Sequence, residues 1–278
     1  MRELSYGRAT VTGTAREGVV RMFRNFGDYA RSGPWDGQKG FFQELVARLD
    51  PEVDFAQYDT ILVVTATKGV TRTTGGVATL APAGAGVVAD GKELRHFGFT
   101  RTPIDAVRTL LQLAGLPEIG GGYAGGWDPM GYRTGNPGLL GMLAWHRRKL
   151  GWLDPSQVRC LGAEPLEVTL APMWSAGGVK AVVAQTGKTT AIVLENRQPR
   201  GLDAAHCRKG ILTYEVRTEW QYHLWVIAKD WTYDPKCEAL DAAPYDFRPK
   251  DSTRIQGAVT FEVIATEADG SYRLRVTR

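Results

Sequence analysis

Cysteine is scarce: Cys160, Cys207 and Cys237 are the only three in 278 residues, too few and too far apart to frame a fold of this length with disulfides. No two form a CxxC pair. The odd count leaves at least one thiol free or intermolecular, and buried structural thiols with room for a single bridge are the expectation. Long apolar runs are missing as well. No segment reaches the roughly 18 residues of a membrane span, and Met1-Arg2-Glu3-Leu4 does not begin an apolar signal-peptide core, so we expect no membrane partner and a cytoplasmic chain. Charge of one sign is also lacking. Lysine and arginine number 34 against 30 acids, and the one basic cluster, Arg147-Arg148-Lys149, points in three directions if helical. It reads as a solvated helix end, which excludes a nucleic-acid partner. Finally, Thr71-Arg72-Thr73-Thr74-Gly75-Gly76 lacks both the spacing and the lysine of a phosphate loop.

What is present is 43% hydrophobic residues, enough for one large or two ordinary domains with their own cores. Alternating β-branched residues over Ser5–Thr14 predict a strand. Helical spacing of Phe41, Phe42, Leu45, Val46 and Leu49 predicts an amphipathic helix from Trp35 to Asp50, capped by Asp36 and ended by Pro51. Ile61-Leu62-Val63-Val64 reads as a strand covered on both faces, and Ala66–Thr100, rich in Gly, Thr and Ala, as hairpins or edge strands bordering a cleft. Asn136-Pro137 starts a further helix that Gly151 ends. Beyond Asp154-Pro155 the pattern changes to short β-rich runs at 166–170, 179–185, 190–195, 210–217, 223–228, 258–266 and 272–276, which suggest a sandwich. The junction falls at Leu153–Gln157.

The organising stretch is Thr102–Glu118, TPIDAVRTLLQLAGLPE. Thr102 is the N-cap, Pro103 sits at the first helical position, Asp105 favours the positive end, and Gly115 and Pro117 stop about three turns. Ile104, Val107, Leu110, Leu111 and Leu113 surround the axis as in a helix buried on all sides. Arg108, Thr109 and Gln112 interrupt them, with Arg108 and Gln112 four apart on one face. Two readings stand: Arg108 pairs with a carboxylate while Gln112 bonds backbone, or the three form a polar site.

The second reading draws on register. Arg108, Thr109 and Gln112 occupy the places of the two histidines and the glutamate of HExxH, and Gly115-Leu116-Pro117-Glu118 follows. Together with Gly126-Trp127-Asp128-Pro129-Met130-Gly131 and Ala144-Trp145-His146-Arg147-Arg148-Lys149-Leu150-Gly151-Trp152-Leu153, the segment resembles the M6 (immune inhibitor A-like) metallopeptidases, over most of the chain. The resemblance implies an α/β (α+β) zincin-like metallopeptidase domain over 1–155, followed by an all-β sandwich domain over 156–278. It implies that the Met130 segment is the Met-turn, that Tyr132 can face the site, that His146 matches a family position, and that Glu195 and Arg197 pair within a sheet. The family is largely secreted, so either this chain stays in the cytoplasm or a leader has been removed.

The zinc ligands themselves are replaced. Arg108 has no lone pair to offer, Gln112 only a neutral carbonyl, and Thr109 cannot serve as a base near neutral pH. A guanidinium about 4 Å from a doubly charged ion would be repelled by roughly 8 kcal/mol at an effective dielectric of 20. We therefore expect no metal and no cofactor. The cleft is expected to hold a small-molecule or peptide-like ligand. Arg108, Thr109, Gln112 and Tyr132 would polarise it and Glu118 or His146 would carry protons, while Trp127, Asp128, Met130 and His96 bind the substrate. Cyclisation or isomerisation fits such a pocket. The alternatives are a scaffolding pseudopeptidase without chemistry, and a residual zinc site built from His96, Glu118 and His146.

Overall fold

The computed structural model describes residues 1–29, 35–64, 77–119, 123–131, 141–228 and 243–278. It is a mixed α+β protein, mostly sheet with few helices, and it divides into two compact units, Thr12–Leu116 and Met1–Val11 with Pro117–Arg278. The division falls at Leu116/Pro117 rather than at the 153–157 junction, and described residues before that junction, Ala144, Trp145 and Arg147, hydrogen-bond to Glu195, Tyr214 and Met173 of the β-rich half.

The first unit is built on rings. Helix α1 (Phe26–Tyr29) precedes α2 (Asp36–Leu49), which presents Phe41, Phe42, Leu45 and Val46 to the core. Trp35, not Asp36, holds the N-cap position, and no side chain caps the helix. Strands β1 (Thr60–Val64), β5 (His96–Thr100) and β2 (Val77–Leu80) form a sheet in the order β1-β5-β2, parallel between β1 and β5 and antiparallel between β5 and β2. Between β2 and β5, β3 (Val87–Ala89) and β4 (Lys92–Leu94) make a separate hairpin. Phe42 stacks on Phe97 with centroids 4.3 Å apart, and Trp35, Phe41 and Phe99 close the same cluster. The expectation that β1 is covered on both faces is overturned: it is an edge strand, half-buried, with Val64 76% exposed.

Helix α3 (Pro103–Leu113) has the ends its sequence specifies. Thr102 accepts the Asp105 amide at 3.2 Å, Pro103 is at its start, and Gly115 takes φ +93°, a left-handed value that favours glycine. It is not buried on all sides. Only Asp105, Thr109 and Leu111 are buried, so its apolar residues are largely half-covered. The strand expected over Ser5–Thr14 is absent. The Ser5 hydroxyl oxygen instead accepts the Ala9 amide at 2.8 Å, and the left-handed residues Tyr6 and Gly7 turn the chain. Alternation without a neighbouring strand gives no ladder.

In the second unit, β6 (Val158–Cys160), β8 (Ala181–Gln185), β9 (Thr190–Arg197), β10 (Gly210–Arg217) and β11 (Leu224–Val226) make a five-stranded sheet, antiparallel except between β6 and β8. A four-stranded antiparallel sheet runs β12 (Ser252–Ile255), β13 (Val259–Thr266), β14 (Tyr272–Thr277), β7 (Leu166–Leu170). Ile192 and Leu194 from one sheet share a core with Leu170, Phe261, Val263 and Leu274 of the other, giving the expected sandwich. The expected runs 166–170 and 210–217 coincide with β7 and β10, whereas β6 and β12 carried no clear signal. A short helix, α4 (Ala144–Lys149), lies over the opposite face of the five-stranded sheet. The expected helix start at Asn136, the Thr71–Gly76 stretch, Gly120–Gly122 and Tyr132 lie outside the described residues.

Candidate functional site

Strand β9 is buried on both faces, and the two-residue period of a strand sorts its side chains. Asn196 points to the sandwich, where its amide donates to the carbonyls of Leu170 at 3.0 Å and Gly270 at 2.8 Å. Glu195 and Arg197 point the other way, toward α4, and pair as the resemblance implied. The Arg197 Nε lies 2.7 Å from Glu195 Oε1, its Nη1 2.7 Å from Asp203 Oδ2, and its Nη2 donates to the Trp127 carbonyl at 2.7 Å. Burial alone would lower the guanidinium pKa, but Asp203 and Glu195 outweigh that and raise it. The space is tight. A Cβ on Gly141 would stand 2.1 Å from Asp203 Oδ1 and 2.6 Å from Arg197 Nη1.

Helix α4 has no side-chain cap of its own, so its first donors need partners from elsewhere. The Leu143 amide donates to Asp128 Oδ2 at 2.9 Å, Ala144 to Glu195 Oε2 at 2.7 Å, and Trp145 to the Tyr214 hydroxyl at 3.1 Å. Three consecutive amides are thus taken by residues from three distant places. The Tyr214 hydroxyl in turn donates to Glu195 at 3.0 Å. Burial raises the pKa of Glu195 against the opposing pull of Arg197, and burial together with Glu195 raises that of Tyr214.

This cap fixes His146. Its Nδ1 is 3.0 Å from Asp128 Oδ2 and its Nε2 is 2.9 Å from Nε2 of His223. Asp128 accepts the Met130 amide at 2.8 Å as well as that of Leu143. Burial pushes its carboxyl up, yet His146 and these amides hold it below the usual carboxylate range. A carboxylate only accepts, so His146 Nδ1 must carry the proton. One proton then sits between the two Nε2 atoms, on His223 when both rings are neutral and on His146 when the pair holds an extra one. Burial, then His146, then Lys149 lower the His223 pKa to about 4.

His223 lies at the lining of a cavity of about 750 Å³, within the range of ordinary ligand sites. Its walls include Trp145 of α4 and Val158, Ala181, Val183 and Val193 on the outer face of the sheet. Cys160 also lines it, and is exposed and free, which corrects the expectation of buried thiols. Cys207 is disulfide-bonded.

The residues expected to form one site fall in different units. Arg108, Thr109, Gln112 and His96 belong to the first, Glu118, Trp127, Asp128, Met130 and His146 to the second. Thr109 is buried and donates to the Phe99 carbonyl at 3.4 Å, and Gln112 accepts the Ala78 amide at 3.2 Å, so both serve the backbone of their own unit. Trp127, Asp128 and Met130, expected to bind substrate, have no exposed surface and support the site from beneath. Trp127 is stacked on His206, with centroids 3.7 Å apart. Glu118 is exposed and His96 half-buried. Arg147 is buried over the ring of Tyr6 at 4.4 Å, not solvated, while Arg148 and Lys149 are exposed. Among the described residues no three His, Cys, Asp or Glu side chains gather to hold a metal. No helix among the described residues is long and apolar enough to cross a membrane.

His223 escaped sequence reading. It stands 77 positions from His146, and its neighbours Trp220, Tyr222 and Trp225 carry no catalytic spacing. Against this geometry, no protein-family model matches the chain, and neither does a curated protein or a solved structure.

Proposed function

We propose that this protein is a metal-free, non-proteolytic enzyme on a zincin-like scaffold related to the M6 metallopeptidases. It takes a small organic or peptide-like molecule into the cavity beside α4 and moves a proton on it in a cyclisation or isomerisation. The observation that carries the reading is the hydrogen-bonded chain Asp128, His146, His223 ending at that cavity. With both rings neutral, His223 donates its Nε2 proton to His146, which leaves Nδ1 with a lone pair. Nδ1 is buried without a hydrogen-bond partner among the described residues, so substrate reaches it only when the ring tilts toward the cavity. A proton then taken at Nδ1 lets the Nε2 proton pass to His146, whose charge Asp128 balances. The return of that proton to another substrate atom completes an isomerisation with no net change. The lowered His223 pKa keeps the ring uncharged at neutral pH, so a nitrogen lone pair is present to accept a proton.

A test follows exchange of acidic C–H hydrogens for deuterium in a panel of ketones and β-dicarbonyl compounds by NMR. His223→Ala should reduce exchange by about 10² to 10⁴, the usual contribution of a general base, and chelators should not. Exchange unaffected in His223→Ala, or peptide hydrolysis with stoichiometric zinc, would overturn the reading.

A binding role without chemistry has one observation in its favour. Tyr222 and Trp225 are each 41% exposed, and Tyr123 stands 4.6 Å from Trp225 and 5.7 Å from Tyr222, the kind of exposed aromatic group that partners cover. A stable protein partner recovered by pull-down, with no exchange activity, would favour it.

A further inference from the structure

His223 as a base says nothing of what it acts on, but the rest of the cavity does. The sheet contributes small apolar side chains, Val158, Ala181, Val183 and Val193, and this is why room is left beneath a helix of only six residues. One edge is different. Arg148 and Lys149, in the last turn of α4, line the same cavity and are exposed, and neither makes an ion pair with a described residue. The other polar contributions, Thr218, Gln221 and Cys160, are neutral or weakly acidic donors. Among the described residues that line the cavity, none is Asp or Glu. Two cations without a counter-charge beside an apolar wall are complementary to a molecule with one anionic end and an apolar body.

We propose that the ligand of this cavity is a free, apolar carboxylic acid, its carboxylate held by Arg148 and Lys149 and its hydrocarbon or aromatic body laid on the valine wall. Lys149 and His223 line the same cavity, so a carboxylate held at Lys149 shares one pocket with the base. This inference rests on the cavity of the proposed enzyme, not on its chemistry, and the two can fail separately.

Binding of decanoate, 1-decanol and decylamine to the full chain, read by calorimetry and by the fluorescence of Trp145 and Trp220, tests it. Decanoate is expected to bind at least tenfold tighter than 1-decanol, and decylamine weakest. The exposed double variant Arg148→Gln/Lys149→Gln should lose about tenfold for decanoate while its affinity for 1-decanol stays the same. Decanoate, but not decylamine, should slow alkylation of Cys160 by N-ethylmaleimide, which places the ligand without recourse to a core substitution. Equal affinity for the three probes, unchanged decanoate binding in the double variant, unprotected Cys160, or no decanoate binding would each overturn the proposal. His223→Ala should keep decanoate binding. Loss of proton exchange therefore tests the enzyme, and loss of charge selectivity tests the ligand.

Discussion

The two units bury different things. In Thr12–Leu116 the interior is a stack of rings, Trp35, Phe41, Phe42, Phe97 and Phe99, and the polar residues of α3 that reach inward spend themselves on backbone. In the other unit a layer of ionised and hydrogen-bonded groups, Asp128, His146, Glu195, Arg197, Asp203 and Tyr214, lies between α4 and a sheet whose far side is as apolar as any core. Rings give stability in proportion to the area they cover. Buried charges contribute little net stability against hydrophobic replacements but are costly to break singly, and they fix one arrangement. The first unit thus behaves as ordinary packing, and the second holds an alignment that chemistry can use.

Breaking the charged layer should have the largest effect. Arg197→Met leaves Glu195 and Asp203 buried without their cation and is expected to cost about 3–5 kcal/mol in urea denaturation. That penalty should shrink at lower pH as the stranded acids protonate; a cost under about 1 kcal/mol would mean that the layer is no alignment device. Phe42→Ala, in the ring core, is expected to cost about 3–4 kcal/mol with no dependence on pH, and a pH-dependent loss there would erase the contrast. Third is the titration of His223. Its folded pKa of about 4 lies below the ordinary value of 6.5, so the unfolded chain binds the proton more readily in between. Stability from this group is complete above pH 6.5 and falls as pH drops toward 4, by about 3 kcal/mol at roughly 1.36 kcal/mol per pH unit. His223→Gln should flatten that part of the profile, and an unchanged slope would contradict the burial of a neutral ring. Smallest are Thr109→Val and Gln112→Ala, each expected to cost about 1 kcal/mol; losses above 3 would show that these side chains do more than serve β5 and β2.

Local signals were legible where the cause is local. Thr102, Pro103 and Gly115 specify both ends of α3 by conformational preference alone, and β7 and β10 follow their apolar pattern to the residue. The pairing of Glu195 with Arg197 came from the family resemblance, and the strand explains it, since residues two apart on a strand share a face. The Ser5–Thr14 expectation failed because alternation makes a strand only beside another strand. The site was half legible. His146 was marked by its segment, but the Asp128 partnership depends on a turn that folds the carboxylate onto α4, and His223 arrives through sheet pairing of β10 with β11. The helix thought to carry the chemistry, α3, is well defined by its sequence, yet good definition reports on folding rather than on use.

The alternation along β9 has a further consequence. A slip of one position in its pairing with β10 would swing Glu195 and Arg197 into the dry interior between the sheets and turn Asn196 away from the two carbonyls that hold its amide. Wrongly threaded chains would therefore carry an electrostatic fault at their centre and be slow to compact, so the residues that line up the histidines also proofread the assembly of the strand that bears them.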